Sequence, residues 1–396
     1  MPTSMMPTST MPTSKMLTSS AIELSELLDP PASPCLSLYQ PTYRSPPEQV
    51  QNPIRYDNLL KQLRGTLHDR VGKREADELV APLVSLAANP ALFKPVFEGL
   101  AVLSCRGLLR VVKTHRPVPE LALVADSFHL KPLIRILQTA DRFQILGISG
   151  SQARLFEGNR DTLEELEPGD GVPRSIMEAL PEEYTDPSMP PGVDLESRKG
   201  FGGPVVHVAP RSRVDALDTD IERFFRVVGR AVTEHHSRRS KLPLILVALP
   251  QHQAAFRQES ENPYLLPEAI EADPEALSLD DLRQRAWKLF EPLYVEKLQN
   301  LAEEFCTAKS HHKGSDDLFQ LAEAAAMSRV RVLLLNDSQQ HAAGRIDPTT
   351  GAVEFSGDDD VYDDLAELVL RRGGEVIVTS PQNMPTPAAA AGIYRF

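Results

Sequence analysis

The segment Pro243–Leu249 constrains the fold of this chain more than any other, because none of its side chains is polar. An apolar run of strand length is typical of a central strand that is covered on both faces. The preceding segment predicts a helix over 215–236, since its apolar residues recur at helical spacing: Leu217, Ile221, Phe224, Phe225, Val228, Ala231 and Val232. We expect this helix to pack on the strand through Phe224, Phe225 and Val228.

Two further strands complete a mixed sheet over residues 139–262. Phe143–Ile148 and Gln152–Glu157 are rich in apolar residues, and Ser149-Gly150-Ser151 between them is typical of a tight hairpin turn. The stretch from about 158 to 200 is polar and rich in proline, so it predicts no regular element.

The chain before this sheet divides into two parts. Met-Pro-Thr-Ser occurs three times within residues 1–14, and such a polar repeat has little to bury. We therefore expect residues 1–33 to form a disordered, low-complexity tail. Residues 34–138 combine predicted strands, such as Cys35–Tyr39 and Gly99–Cys105, with a helix that opens at Asn52-Pro53. They predict an N-terminal α/β domain.

Prolines among acidic residues after position 262 indicate the next domain boundary. Helices predicted over Leu282–Lys309 and Val361–Leu370 alternate with buried strands predicted over Val330–Leu335 and Glu375–Thr379. Residues 263–396 therefore predict a layered α/β domain, and the whole chain is predicted to be a multidomain α/β protein.

Composition argues against several classes of protein. A net charge of −13 over 396 residues means that any contact with RNA must come from a local basic patch. Three widely spaced cysteines are typical of a reducing compartment rather than a disulfide framework, so we expect a cytoplasmic protein. No apolar stretch is long enough to span a membrane, and no membrane contact is expected. We expect no metal and no cofactor, because the nearest ligand cluster is Cys306, His311 and His312, and structural zinc takes four ligands.

Three features in chain order resemble a known family. They are the strand–turn–strand Phe143–Phe156, the run Arg198-Lys-Gly-Phe-Gly-Gly203, and a C-terminal series that consists of Ala322–Leu335, Gly373–Val376 and Gly392–Phe396. In this order they resemble the class 1 peptide-chain release factors of archaea and eukaryotes and the rescue factor Pelota. The N-terminal part resembles the bacterial archaeo-eukaryotic release factor family, family 3. The resemblance implies an RNase H-like central domain and a C-terminal α–β–α sandwich similar to kink-turn RNA-binding ribosomal proteins.

The resemblance places a functional loop at Gly200, Gly202 and Gly203, which match the glycines of the family's Gly-Gly-Gln loop. The position of the glutamine is occupied by Pro204. In the family the glutamine presents a backbone amide toward the reacting ester, and proline has no backbone N–H. The departure implies that this chain hydrolyses an ester poorly or not at all.

His207 is the candidate for a substitute general base, since it lies three residues beyond Pro204. Its neighbours Val205, Val206 and Val208 are typical of a strand, which favours a structural or merely exposed histidine. The sequence leaves both interpretations open.

The segment Arg198–Lys241 inverts the charge of the chain locally, with ten basic and five acidic residues. The candidate contacts to ribosomal RNA or tRNA phosphates are the four basic residues nearest the glycines: Arg198, Lys199, Arg211 and Arg213. The alternative is a solvated helix face with intrahelical pairs such as Asp220–Arg223 and Glu222–Arg226.

The C-terminal domain is acidic, which argues against broad RNA affinity. The aspartates that carry this argument are Asp316, Asp317, Asp358, Asp359, Asp360, Asp363 and Asp364. We expect the run Asp358–Asp360 to be a solvated loop rather than a cation site. The resemblance implies instead that this domain docks a translational GTPase.

Three functions fit these observations. The first is a ribosome- or tRNA-binding factor in rescue, release or stress that binds without efficient ester hydrolysis. The second is a peptidyl-tRNA hydrolase that uses a loop without glutamine. The third is a protein-interaction scaffold that has left the ribosome.

Overall fold

The computed structural model describes residues 14–18, 24–43, 48–93, 97–114, 116–138, 140–167, 171–181, 213–338, 342–357 and 359–396. The chain forms two compact units, one drawn from residues up to 140 together with 294–396, and the other from 141–293. Both units mix helices with strands, so the predicted α/β fold class is confirmed.

The first part of the larger unit is a five-stranded sheet with a helical hairpin. Its elements are β1 (Ser14–Thr18), α1 (Ser25–Leu28), β2 (Cys35–Pro41), α2 (Gln51–Val71), α3 (Lys73–Ala87), β3 (Gly99–Cys105), β4 (Leu108–Thr114), β5 (Leu121–Ala125) and α4 (Lys131–Leu137). The strand order is β1-β4-β3-β2-β5, and every pair is antiparallel except the parallel pair β1–β4. Gly72 separates α2 from α3 at a φ of 83°, where a side chain would be strained.

The expectation of a disordered tail over residues 1–33 is wrong for the described part of that segment. Ser14–Thr18 pairs with β4, and α1 buries Leu27 and Leu28. The leucines that follow the polar repeats supply the apolar surface that the repeats lack, so this part of the chain can pack. Residues 1–13 and 19–23 lie outside the described residues.

The smaller unit is built on a second five-stranded sheet. Its elements are β6 (Phe143–Ile148), β7 (Ala153–Gly158), β8 (Leu163–Leu166), α5 (Ile176–Ala179), α6 (Arg213–Val232), α7 (Arg238–Ser240), β9 (Leu244–Ala248), α8 (Pro250–Glu259), β10 (Leu265–Glu271) and the first part of α9 (Leu279–Ser310). The strand order is β10-β9-β6-β7-β8; β6, β7 and β8 are antiparallel, and β9 and β10 run parallel to β6. Three antiparallel strands followed by two that are parallel to the first form the RNase H-like order that the sequence analysis expected.

The predicted core of this sheet is confirmed. β9 lies between β6 and β10, and all of its side chains are buried. Phe224, Phe225 and Val228 are fully buried in one apolar cluster with Leu246. The strand β10 was not predicted, because its proline argues against a strand. Pro267 is exposed on this edge strand, where the missing N–H removes no bond from the ladder, and the unit therefore reaches past residue 262.

The C-terminal part of the larger unit is a four-stranded sheet between two helical layers. After α9 come β11 (Gly314–Ser315), α10 (Leu318–Ala326), β12 (Val330–Asn336), β13 (Arg345–Ile346), β14 (Val353–Glu354), α11 (Val361–Arg371), β15 (Glu375–Thr379) and β16 (Ala390–Tyr394). One face of the sheet packs on α10 and α11, for example Leu333 against Leu365. The other face packs on α9, where Val332 joins the cluster of Phe305. The predicted α–β–α sandwich is thus confirmed.

The two parts of the larger unit share one apolar core. One face of the N-terminal sheet, including Leu38 and Val102, packs on α2 and α3. The opposite face, including Tyr39 and Leu103, joins the cluster that contains Val369 of α11. This shared core explains why residues far apart in the chain form a single compact unit. Among the described residues, none of the helices is both long enough and apolar enough to cross a bilayer.

Candidate functional site

Most of the predicted site lies outside the described residues. Segment 182–212 contains all of the loop residues, Gly200, Gly202, Gly203, Pro204 and His207, together with Arg198, Lys199 and Arg211. Arg213 begins α6, but its side chain is also outside the description. The structure describes the elements on either side of this segment, which are α5 before it and α6 after it.

The chain enters segment 182–212 from α5, which is fixed to the turn between β6 and β7. Ser175 caps α5 by accepting a hydrogen bond of 3.3 Å from the N–H of Glu178, and the Glu178 carboxylate accepts one of 2.8 Å from the N–H of Arg174. The first bond satisfies a donor that a helix start leaves open, and the second ties the Glu178 side chain back to the residue before the cap. The N–H of Ile176 donates to the carbonyl of Ser151 at 2.9 Å, so the entry point is held at the carboxyl end of β6.

The chain leaves the segment through α6, which contacts the same turn. A Cβ atom on Gly150 would lie 3.6 Å from the Ile221 side chain of α6 and 3.5 Å from the ring of His252 in α8. Open α/β sheets bind their ligands at the carboxyl ends of parallel strands, and β6 and β9 end here. We call Ser149, Gly150, Ser151 and His252 the carboxyl edge, and it is the candidate site within the described residues.

His252 is the residue of the carboxyl edge that can accept a proton. Its ring meets the ring of Phe225 edge-on, with centroids 5.7 Å apart. Burial lowers the pKa of His252, with Asp273 acting weakly in the opposite direction, so the imidazole is neutral at pH 7. His252 was not among the predicted site residues, because no motif surrounds it and its position depends on the packing of α8.

The described part of the basic segment is largely paired. Arg223 lies 3.9 Å from Asp220, which confirms the predicted intrahelical pair. The predicted Glu222–Arg226 pair is replaced by a contact of 2.6 Å from Arg226 to Glu259 of α8. These pairs, with the 3.1 Å pair between Arg230 and Glu234, neutralise the exposed face of α6.

Three basic residues shortly after α6 make no ion pair with the described part of the chain. Among the described residues, no acidic partner lies within ion-pair distance of Arg238, Arg239 or Lys241, which follow the π-helical segment Thr233–Ser237. Local π-helical turns are frequent at functional sites. In this segment His235 is exposed and lies against Gly171, and burial lowers the pKa of His236, with repulsion from His235 acting in the same direction.

The comparison with known families identifies this region of the chain. Residues 142–329 match the family described as bacterial archaeo-eukaryotic release factor family 3. Over this segment the chain is similar to that family. The matched range includes the five strands of the smaller unit, the carboxyl edge and segment 182–212. No curated protein gives a match.

Several solved structures of translation proteins are similar to this chain. The archaeal translation termination factor aRF1 shows 17% identity and a TM-score of 0.26, covering 96% of this chain and 99% of its own. The ribosome-bound archaeal Pelota shows 13% identity and a TM-score of 0.39, covering 76% and 73%. Dom34 of S. cerevisiae shows 11% identity and a TM-score of 0.35, covering 71% and 75%. These TM-scores are too low to establish a fold. The smaller unit is described as RNase H-like because of its own strand order.

The expectation of a solvated loop over Asp358–Asp360 is wrong for its described residues, since Asp360 is buried and Asp359 is half-buried. Asp360 caps α11 by accepting a hydrogen bond of 3.1 Å from the N–H of Tyr362. Asp360, Asp363 and Glu367 are at most 2% exposed. Their spacing of three and four positions places them on one face of α11, which was the sequence signal for burial. Asp358 lies outside the described residues.

Proposed function

We propose that this protein is a translation factor of the release-factor type that binds the ribosome or tRNA and hydrolyses peptidyl-tRNA poorly. The observation that carries the proposal is the family match over 142–329, which contains both the RNase H-like sheet and segment 182–212. That sheet holds both neighbours of segment 182–212 at one turn, so both ends of the segment are fixed to the same scaffold. The proposed site of action is the cytoplasm.

The proposed defect in hydrolysis rests on Pro204. A preorganised amide directed at the developing oxyanion contributes roughly 100- to 1000-fold in rate when it is present. Proline cannot provide that amide. The glycines Gly200, Gly202 and Gly203 still permit close approach to RNA, so the loop can bind where it cannot catalyse.

The proposed RNA contacts are Arg198, Lys199, Arg211 and Arg213. The pairing of Arg223, Arg226 and Arg230 supports this choice indirectly, because an arginine already bound to a carboxylate gains less from a phosphate. The C-terminal α–β–α sandwich is the proposed docking domain for a translational GTPase, as the resemblance implies.

The second candidate function is a protein-interaction scaffold that no longer binds the ribosome. The ion pairs of Arg223, Arg226 and Arg230 on α6 favour it. If the basic segment is neutralised throughout, then nothing in it attracts phosphate, and the chain retains the family fold without its ribosomal role. The hydrolase reading depends on His207, which lies outside the described residues.

Ribosome co-sedimentation over a range of salt concentrations tests the proposal. Each phosphate contact contributes about 0.9 to the slope of log affinity against log salt. Replacing Arg198, Lys199, Arg211 and Arg213 by alanine is expected to weaken binding and to reduce that slope.

The matched control replaces the paired arginines of α6, Arg223, Arg226 and Arg230, by alanine. This control removes three positive charges from α6, against four in the test variant, and is expected to bind nearly as the wild type does. Equal binding by all three proteins would overturn the proposed contacts and support the scaffold reading. Circular dichroism on each variant verifies that the fold is intact.

A further inference from the structure

Two of the three cysteines lie opposite each other in the N-terminal sheet. β2 and β3 are antiparallel, and the register pairs Leu36 with Ser104. The next position of the same register places Cys35, the first residue of β2, opposite Cys105, the last residue of β3. Directly opposed residues of antiparallel strands have Cα atoms roughly 4.5–5.5 Å apart, which is within the ~4.4–6.8 Å range of disulfides.

The two side chains also point to the same face of the sheet. Opposed residues share a face, and Cys35 and Cys105 belong to one apolar cluster with Leu103 and Leu27. Both cysteines are free thiols in the structure. The Cys35 thiol donates to the carbonyl oxygens of Ala32 at 3.4 Å and Asp126 at 3.6 Å, so it is held by weak contacts that a bond to Cys105 can replace.

The pair is chemically asymmetric. Interaction with the Cys35 thiol lowers the pKa of Cys105 to about 7, and the same interaction, together with burial, raises the pKa of Cys35. Cys105 is therefore the thiol of the pair that ionises more readily, and the thiolate is the nucleophilic form of cysteine. It also lies next to the surface, because the turn residues Arg106 and Gly107 that follow it are exposed.

We propose that Cys35 and Cys105 form a reversible cross-strand disulfide by exchange with a small-molecule disulfide such as glutathione disulfide. The Cys105 sulfur attacks the disulfide, forms a mixed disulfide and releases one thiolate. The Cys35 thiol then loses its proton, attacks the Cys105 sulfur and releases the second thiolate. The two protein thiols are oxidised to one disulfide, and one glutathione disulfide is reduced to two molecules of glutathione.

Oxidation would stabilise the N-terminal sheet. The bond closes a loop that contains α2 and α3, the two helices that cover one face of that sheet. Closing a long loop restricts the unfolded chain more than the folded one, so the folded state gains. In a reducing compartment such a bond is transient and responds to oxidant rather than serving as a permanent brace.

Peptide mapping by mass spectrometry tests the proposal on the full-length protein. The folded protein is treated with glutathione disulfide, quenched with acid, alkylated and digested. The expected product is a linked pair of peptides that contain Cys35 and Cys105, lighter than the separate thiols by two hydrogen atoms. The formation rate is expected to rise with pH through about 7, as Cys105 ionises.

Cys306 provides an internal control, because it is exposed on α9. It is expected to stop at the mixed disulfide with glutathione, which shows that the oxidant was active. The variant Cys105→Ser is expected to leave Cys35 reduced under the same treatment. The proposal is overturned if Cys306 is modified while Cys35 and Cys105 stay free, or if Cys105 accumulates as the glutathione adduct without linking to Cys35.

Discussion

The carboxylate of Asp363 on α11 accepts a hydrogen bond of 2.9 Å from the backbone N–H of Leu130, 233 positions earlier in the chain. It also accepts from the N–H of Lys131, the first residue of α4. A carboxylate at a helix start satisfies open donors and favours the positive end of the helix dipole. Asp363 is fully buried, so the acidic face of α11 serves as a cap for a helix in the N-terminal part of the same unit.

Replacement of Asp363 by alanine is expected to destabilise the larger unit by about 1–3 kcal/mol, because buried amides of Leu130 and Lys131 lose their acceptor. Urea unfolding measures the change. The matched control is Glu323→Gln on α10, an exposed acid whose replacement is expected to change stability by less than about 0.5 kcal/mol. Equal midpoints for the two variants would show that the cap contributes nothing.

The stability of the larger unit is expected to fall as the pH rises from 5 to 9. Burial raises the pKa of Asp364 to about 8 and that of Asp359 to about 7, well above their values in an unfolded chain. A folded-state pKa above the unfolded value gives stability that is present at low pH and is lost as the pH rises through the folded pKa.

The variant Asp364→Asn isolates this effect. Its amide oxygen can still accept the 2.7 Å hydrogen bond from the N–H of Ile346, but it carries no charge. We expect the unfolding midpoint of the variant to rise relative to that of the wild type as the pH rises from 5 to 9, because only the wild type must bury a charge there. Parallel stability–pH curves for the two proteins would contradict the assignment.

Replacement of Phe225 by alanine is expected to cost about 3–5 kcal/mol in the smaller unit, because the ring is fully buried between Phe224, Phe256 and His252. Denaturant unfolding measures the loss. Val227→Ala on the same helix is the control, since Val227 is 38% exposed and its loss is expected to be much smaller. A cost for Phe225→Ala as small as that of the control would mean that α6 does not anchor on the sheet.

Elements with a strong local pattern were predictable from the sequence. The apolar run around Leu246 predicted a central strand, because a strand buried on both faces needs an apolar side chain at every position. The helical spacing of Phe224 and Val228 predicted the helix that covers it. The strand β10 has no continuous apolar run, because it lies at the edge of the sheet, where a residue such as Pro267 is tolerated.

Features that depend on distant contacts were not predictable. Asp363 looks like a solvated acid in the sequence, and only its pairing with Leu130 shows why it is buried. Cys35 and Cys105 look unrelated, because their opposition follows from strand register and not from spacing. His252 likewise reaches the carboxyl edge only through the packing of α8.

Replacement of Leu27 by alanine tests the corrected view of the N-terminal region. Leu27 is 1% exposed and packs in the shared core, so the expected cost is about 2–5 kcal/mol. Urea unfolding measures it, and Ser25→Ala, at an exposed position of the same short helix, is the control. A tail that contributes nothing to the fold would give wild-type stability for both variants.

Restoring the family's loop is the most informative test of the proposed chemistry. The variant Pro204→Gln regains a backbone N–H and a polar side chain at the position where the family carries glutamine. If the missing amide is what limits the wild type, release of peptide from peptidyl-tRNA on ribosomes is expected to increase by up to about 100- to 1000-fold. The measurement is single-turnover release, with binding held saturating so that a change in affinity does not enter the rate.

His207→Ala, made in both the wild type and the Pro204→Gln variant, separates the two candidate mechanisms. Rapid release by the wild type that disappears in His207→Ala would establish the hydrolase reading, with histidine in place of the glutamine. Release that requires Pro204→Gln and persists without His207 would instead assign the deficit to the proline.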